Sequence, residues 1–372
     1  MKVLVIMKEK NCVTVIGAGP VGLAAACLCK SLGLDVTILE EQIKSSQTRA
    51  GGIVLMPGSI PTLQSCGLSS RTINQKSLDL DNVQEYVDDE LVFANKYSKM
   101  SGGIPAQVIR LKDIHRMLLS TCRSDILYGH KVEYLTQKNE YVKIKGVNDK
   151  GGFELTADSV ILSDGKHSNL RKTSGFQFDS IDIDSVQVLA MSNTHESATP
   201  TLRIKRWKDA FITEVPSLRG DIHVCTTRKG IPHSMALEIA NKYLSANLKL
   251  LDNVSFETHQ IKHSMGVVKS YRNGRIFIAG DAAHNIHNLG AQGLNISLQE
   301  LPDLVEAVKN TVAAEPSEWF DNTAKKFRYR IEDLLRHQND LLSWPGSAES
   351  WFSPIFKRLA LGIMNDNEYE AI

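Results

Sequence analysis

The run CVTVIGAGPVGLAAACLCKSLGL, Cys12 to Leu34, constrains the fold of this chain more than any other stretch. From Asn11 to Cys29 it carries no charge, as a spanning helix or a signal peptide's apolar region does. Its three glycines and a proline at the centre exclude both. VTVI is a short β-branched run suited to a buried parallel strand, GAGPVG is a tight turn, and LAAACLCKSLGL is a helix ending near Gly33. Strand, turn and helix in that order open a nucleotide-binding unit.

Within the turn, Gly17, Gly19 and Gly22 have the spacing GxGxxG. The first allows the sharp turn, the second lets the backbone approach a pyrophosphate, and the third lets helix and strand pack closely. The helix N-terminus then meets the phosphate charge. A second strand, DVTILEE, delivers Glu40, whose carboxylate can bond ribose hydroxyls and repels a 2′-phosphate. These features predict dinucleotide binding without choosing between FAD and NAD.

At 372 residues the chain exceeds the usual single core, which predicts two intimately connected domains or one composite one. Lysine and arginine (43) balance aspartate and glutamate (42), so no charge excess points to nucleic acid. The local run Lys205, Arg206, Trp207, Lys208 reads as a solvated strand edge. Six cysteines without a CxxC pair read as reduced, which suits a cytoplasmic protein.

Further along, EYVKIKGV and GGFELTAD read as two alternating strands, and SVILS as an apolar strand ending in Asp164 and Gly165. The stretch YRNGRIFIAGDAAH repeats that theme, ending in Gly280 and Asp281. Ligands of open α/β sheets gather at such strand ends.

Three motifs in order, GAGPVG with Glu40, SDGKHSNLR from Ser163 to Arg171, and GRIFIAGDAAH running into GAQGLNISLQE, carry a family resemblance. The chain resembles the single-component FAD-dependent aromatic hydroxylases, and its third motif is most similar to the branch acting on ubiquinone precursors. The resemblance implies FAD as cofactor and NAD(P)H as transient co-substrate, since no second GxGxxG is present. It implies that Asp281 bonds the ribityl chain and that a helix beginning near Gly293, Leu294 and Asn295 points its N-terminus at the flavin pyrimidine. It also implies Asp164 near the pyrophosphate, with Arg49 and Arg110 reaching the cofactor; both arginines also read as surface residues near helix starts.

His284 and His287 have a spacing found in metal sites, but no cysteine or carboxylate follows at ligand spacing, so no metal is expected. The resemblance makes His284 structural and turns His287 to the substrate side of the flavin. Where these hydroxylases usually have a proline, the chain has Asn288, and their next glycine is Ala291. That loop borders the flavin atom at which a C4a-hydroperoxide forms, so Asn288 offers a new hydrogen bond there or impairs oxygen transfer.

The fold expected is an α/β (α+β composite) one: a Rossmann-like FAD-binding domain (1–75, 105–176 and 266–318) interleaved with an antiparallel-sheet substrate domain (76–104 and 177–265). C-terminal helices (319–372) complete it. Phe211 and Glu214, on the run FITEVP, are candidate substrate residues, with ordinary strand packing the alternative. The apolar stretch SWFSPIFKRLALGIM suits the enzyme's own core or peripheral contact with a membrane. The activity expected is NAD(P)H-driven hydroxylation by molecular oxygen of an aromatic or quinone-precursor substrate. A flavin reductase or dehydrogenase of the same fold, and a silent FAD-binding subunit, are the alternatives.

Overall fold

A computed structural model describes residues 4–6, 11–43, 51–100, 103–192, 198–248, 255–257, 263–315, 317–347 and 350. Five helices frame the site and its two sheets: α1 (Pro20–Ser31), α2 (Leu111–Thr121), α3 (His233–Leu248), α4 (Gln292–Val312) and α5 (Glu318–Ser343). No described helix is long and apolar enough to cross a membrane.

The glycine motif lies on a six-stranded sheet of order Arg272–Asn273, Ile276–Ile278, Ser159–Leu162, Cys12–Ile16, Asp35–Glu40 and Asp125–Tyr128. All neighbours are parallel except the first pair. CVTVI, SVIL and IFI are buried at every position, as strands covered on both faces must be. α1 lies against α2 and α4. It begins with Pro20 in its first turn, where a missing N–H costs nothing, and is small-residue-rich enough to approach its neighbours closely.

The second large sheet has seven strands, in the order Ser255–Glu257, Gln187–Met191, Gly220–Thr227, Ala210–Ser217, Thr201–Arg206, Asn82–Val87 and Glu90–Lys96. It is antiparallel except where Thr201–Arg206 runs parallel to Asn82–Val87. Its strands come from both stretches expected to form the substrate domain. One face is covered by α3, where Val188, Ala210, Ile212 and Cys225 pack with Ala236, Ala240 and Leu244 in a core of their own. Its strand Ala210–Ser217 also meets a three-stranded sheet formed by Gly52–Leu55, Ala106–Arg110 and Ser77–Leu80.

The two strands expected from EYVKIKGV and GGFELTAD are present as Val142–Asn148 and Gly151–Ala157, and they pair antiparallel. α5, within the stretch expected to be helical, buries Phe320, Phe327, Ile331 and Leu334 along one stripe. The stretch from Trp351 to Ile363 lies outside the described residues.

The solvated edge expected around Lys205 is a correction. Thr201–Arg206 is an interior strand, and Arg206 is 0% exposed, its Nη2 2.7 Å from a Glu85 oxygen, with Nη1 donating to the Pro345 and Ser347 carbonyls. Trp207 stacks on Tyr243 of α3 with ring centroids 4.6 Å apart. A charge run gives no account of partners so far away in sequence.

Candidate active site

A cavity of about 1030 Å³ runs from the carboxyl ends of the parallel strands to the inner face of the seven-stranded sheet. At its floor stand Gly17 and Gly19, Glu40, Ser163 to Gly165, and Gly280 and Asp281, which lie at or just past the ends of four different strands. This is the crevice that ligands of α/β sheets occupy.

The three glycines of the loop differ in what they need. At Gly17, where φ is +101°, a Cβ would lie 2.5 Å from the Ser163 carbonyl oxygen, and at Gly22 one would lie 2.0 Å from the Gly17 oxygen. A Cβ on Gly19 meets nothing within 4 Å, because it faces the cavity. Gly19 is also the N-cap of α1 and supplies no side-chain cap, so the first N–H groups of that helix lack a side-chain acceptor there. Ser163 Oγ donates to the carbonyls of Ile16 and Gly17 at 2.9 and 3.2 Å, tying the second motif to the first. Arg171 Nη1 donates to the Ala282 carbonyl at 2.9 Å, tying it to the third.

Glu40 accepts from the N–H groups of Ala18 and Gln42, at 2.7 and 2.8 Å, and lines the cavity. Asp164 lines it too; its Oδ1 is buried with no hydrogen-bond partner, and burial holds its carboxyl above the usual range despite the Ser168 hydroxyl and Arg171. Asp281 is exposed and lines the cavity, as do the half-buried Gly293 and Leu294 at the start of α4. An open glycine cradle, an uncapped helix N-terminus and a carboxylate oxygen awaiting a donor fit a dinucleotide with ribose hydroxyls and a pyrophosphate.

Several expected site residues stand elsewhere. Asn295 points away from the cavity: its Oδ1 accepts from Met56 N and Ser59 Oγ, and its Nδ2 donates to the Val54 and Ala291 carbonyls. It clamps α4 to the strand Gly52–Leu55. Arg110 lies on a separate smaller cleft with Gln75, Lys76 and Asp113, while Lys112 and His115, two and five residues further on in α2, line the main cavity instead. Because Arg110 ends its strand as the N-cap of α2, the chain's direction changes there and the next residues take the inward positions. Arg49 lies outside the described residues.

His287, expected on the substrate side, is 1% exposed and does not line the cavity. Its backbone N–H donates to Gln338 Oε1, its carbonyl accepts from Gln338 Nε2, and its Nδ1 accepts from Leu289 N, so it fastens the loop to α5. His284 is buried with Nε2 3.0 Å from Glu300 Oε2, beside Tyr271, whose hydroxyl burial pushes well up.

Asn288 does line the cavity, and its amide is paired. Asn288 Nδ2 donates to Gln187 Oε1 at 2.8 Å while Gln187 Nε2 donates back to Asn288 Oδ1 at 2.7 Å and to Thr226 Oγ1 at 2.9 Å. Ala291 takes the left-handed conformation, φ +56° and ψ 35°, at the N-cap of α4.

On the sheet above, Phe211, Thr213 and Val215 face the cavity, as do Leu202, Ile204, Val224 and Thr226. Glu214 is a correction: strand alternation turns it to the other face, where it meets Lys205 Nζ at 2.8 Å and accepts from Asn247 Nδ2 at 2.6 Å. Gln187, Thr213 and Thr226 are not singled out by the sequence, although all three lie in the stretch 177–265 expected to form the antiparallel sheet. Only the pairing register sets which alternate residues face inward, and no local pattern specifies it. Lys112 and His115 had a legible signal, three residues apart on an amphipathic helix.

A model of the family described as FAD binding domain matches residues 10–331. Among curated relatives, 6-methylpretetramide 4-monooxygenase of Streptomyces rimosus is 26% identical over 353 residues, 88% of this chain and 82% of that protein. Among solved structures, p-nitrophenol 4-monooxygenase from Pseudomonas putida DLL-E4 superposes with a TM-score of 0.77 at 19% identity, covering 97% of this chain and 95% of that one. A Diels-Alderase of the pyrroindomycin biosynthetic pathway reaches a TM-score of 0.75 at 17% identity, covering 95% and 81%. At these identities the structural likeness shows the fold, and the fold alone does not select the reaction.

Proposed function

The chain belongs to the FAD binding domain family, and on that premise we propose that it is an NAD(P)H-dependent flavoprotein monooxygenase that hydroxylates an aromatic or electron-rich small molecule. The observation that carries this reading is the continuity of one cavity, polar and glycine-lined at the strand ends and apolar beneath the sheet. A dinucleotide and a separate small molecule both find room there. A reductase has no need of the apolar chamber, so the cavity favours the monooxygenase over that alternative.

FAD, when bound, accepts a hydride from NAD(P)H and, once reduced, activates oxygen for transfer of one atom to the substrate. The protein's own part is binding, orientation and exclusion of water. The N-terminus of α1 and the open face of Gly19 would hold the pyrophosphate, and Glu40 would accept from the ribose. Asp281 would bond the ribityl chain, and the N-terminus of α4 would favour negative charge on the flavin pyrimidine. Phe211, Leu202 and Val224 keep water from the reacting face. The quinone-precursor branch suggested by the GDAAH loop falls within this substrate class.

The test is turnover of the FAD-loaded protein with NADH or NADPH and phenolic substrates under ¹⁸O₂. A hydroxylated product carrying one ¹⁸O atom, formed as NAD(P)H is consumed, supports the proposal. NAD(P)H oxidation that never yields an oxygenated product across the panel favours the reductase, and a purified protein holding no FAD overturns the reading altogether.

A further inference from the structure

We propose that the substrate is an uncharged aromatic molecule whose hydrogen-bonding group is read by Asn288, held in place by Gln187. This inference rests on the monooxygenase reading and narrows its substrate class.

The distribution of charge along the cavity carries it. Glu40 ends a strand of the six-stranded sheet, Asp164 and Asp281 follow two others, and Lys112 projects from α2 beside them, so these charged groups gather at the nucleotide end. Among the described lining residues the sheet face is different. Leu202, Ile204, Phe211, Val215, Val224 and Leu289 form an apolar wall, and its polar groups, Thr213, Thr226, Gln187 and Asn288, are all neutral.

The strand Thr201–Arg206 has cations, but none of them lines the cavity. Leu202 and Ile204 point into the cavity, so Arg203 and Lys205 point out, to Glu214. Arg206 is committed to Glu85 and two backbone carbonyls. A carboxylate buried against this wall would shed its water and find no cation among the described residues of the wall in exchange, which is strongly unfavourable.

The same wall has one place where a neutral polar group is welcome. Asn288 is exposed into the cavity and spends one of its two N–H donors on Gln187. The other, with remaining acceptor capacity on Oδ1, can meet a phenolic hydroxyl or a carbonyl. Gln187 is 3% exposed and braced by Thr226, so it serves as a positioning residue that fixes the plane of the Asn288 amide. The pair joins the loop before α4 to the substrate sheet, which places that hydrogen bond at the border between the two halves of the cavity.

The experiment titrates FAD-loaded protein with near-isosteric probe pairs differing in charge and follows the flavin absorbance. The pairs are 4-hydroxybenzamide with 4-hydroxybenzoate, and the larger 6-hydroxy-2-naphthamide with 6-hydroxy-2-naphthoate. The neutral member is expected to bind at least about tenfold more tightly in whichever pair the chamber accommodates. Equal or tighter binding of the carboxylate overturns the proposal, and so does failure of both pairs to bind protein that has retained its FAD. Loss of FAD itself would instead strike the monooxygenase reading, so the two failures are distinguishable. For Gln187→Met, the preference for 4-methylphenol over toluene is expected to fall about tenfold while FAD content is unchanged. A merely structural role for Gln187 would weaken both ligands together and leave that preference intact.

Discussion

The backbone N–H of Met56 donates to Asn295 Oδ1 at 2.8 Å, joining positions 239 residues apart in the chain. The other contacts of that amide, with Ser59 Oγ, the Val54 carbonyl and the Ala291 carbonyl, saturate it. Asn295→Ala strands buried backbone groups on both partners and is expected to cost about 2–4 kcal/mol. Asn295→Asp keeps the two acceptor bonds but replaces both donors with a buried charge, and should be no more stable than the alanine variant. Urea denaturation of the cofactor-free protein measures both. A loss below about 1 kcal/mol for Asn295→Ala would remove the clamp from the account.

Ala291 caps α4 with φ +56°, a conformation that costs a residue with a Cβ roughly 1–2 kcal/mol. Glycine relieves that strain but adds freedom to the unfolded chain, which takes back part of the gain. The net expectation for Ala291→Gly is stabilisation by about 0.5–1 kcal/mol, read as a higher denaturation midpoint with an unchanged slope. A lower midpoint would show that the alanine methyl packs favourably enough to outweigh its strain.

The nucleotide half of this fold was legible because its chemistry is local. Gly17, Gly19, Gly22 and Glu40 sit within one strand, turn, helix and strand, and Asp164 and Asp281 each end an apolar run. The substrate half was legible only as a set of strands. Glu214 and Phe211 are three residues apart on one strand and point opposite ways, a fact fixed by pairing with neighbours at Arg203 and His223. His287 failed for a related reason: Gln338, which claims its backbone, is 51 residues away on a helix whose docking no local pattern reveals.

Asp164 makes stability depend on pH. Burial raises its folded pKa above the unfolded value of about 3.9, so its protonated form is favoured by folding. Stability is therefore fully present below the unfolded pKa and is lost as pH rises through the folded one. Asp164→Asn carries no such titration. In the cofactor-free protein it is expected to be more stable than the parent at pH 7, with the gap closing toward pH 4. Denaturation midpoints across that range decide it, and a gap that widens as pH falls would reverse the assigned sign.

The two faces of the strand Ala210–Ser217 separate by mutation. Glu214→Ala leaves Lys205 and Arg203 without their buried carboxylate and is expected to destabilise by about 2–4 kcal/mol, with KM for the aromatic substrate essentially unchanged. Phe211→Ala opens the cavity wall and should raise KM and increase NAD(P)H consumption without product, because water reaches the reacting face. A changed KM in folded Glu214→Ala would put that carboxylate back in the substrate site.

The three glycines of the first motif give the sharpest division between fold and ligand. At Gly17 and Gly22 an added methyl would meet backbone oxygens at 2.5 and 2.0 Å, contacts that no side-chain rotation relieves. Alanine at either position should lower the stability of the cofactor-free protein by several kcal/mol, and Gly17 adds the strain of its positive φ. At Gly19 the methyl meets no protein atom and projects into the space assigned to the pyrophosphate. Gly19→Ala is therefore expected to leave the cofactor-free denaturation midpoint within about 0.5 kcal/mol of the parent. Its FAD affinity should fall by about a hundredfold or more, as the phosphate backs away from the helix N-terminus and its N–H groups. Equilibrium dialysis against FAD, run beside denaturation of the stripped proteins, gives both numbers. Unchanged FAD affinity in Gly19→Ala would mean that the dinucleotide enters the crevice by another face of the loop.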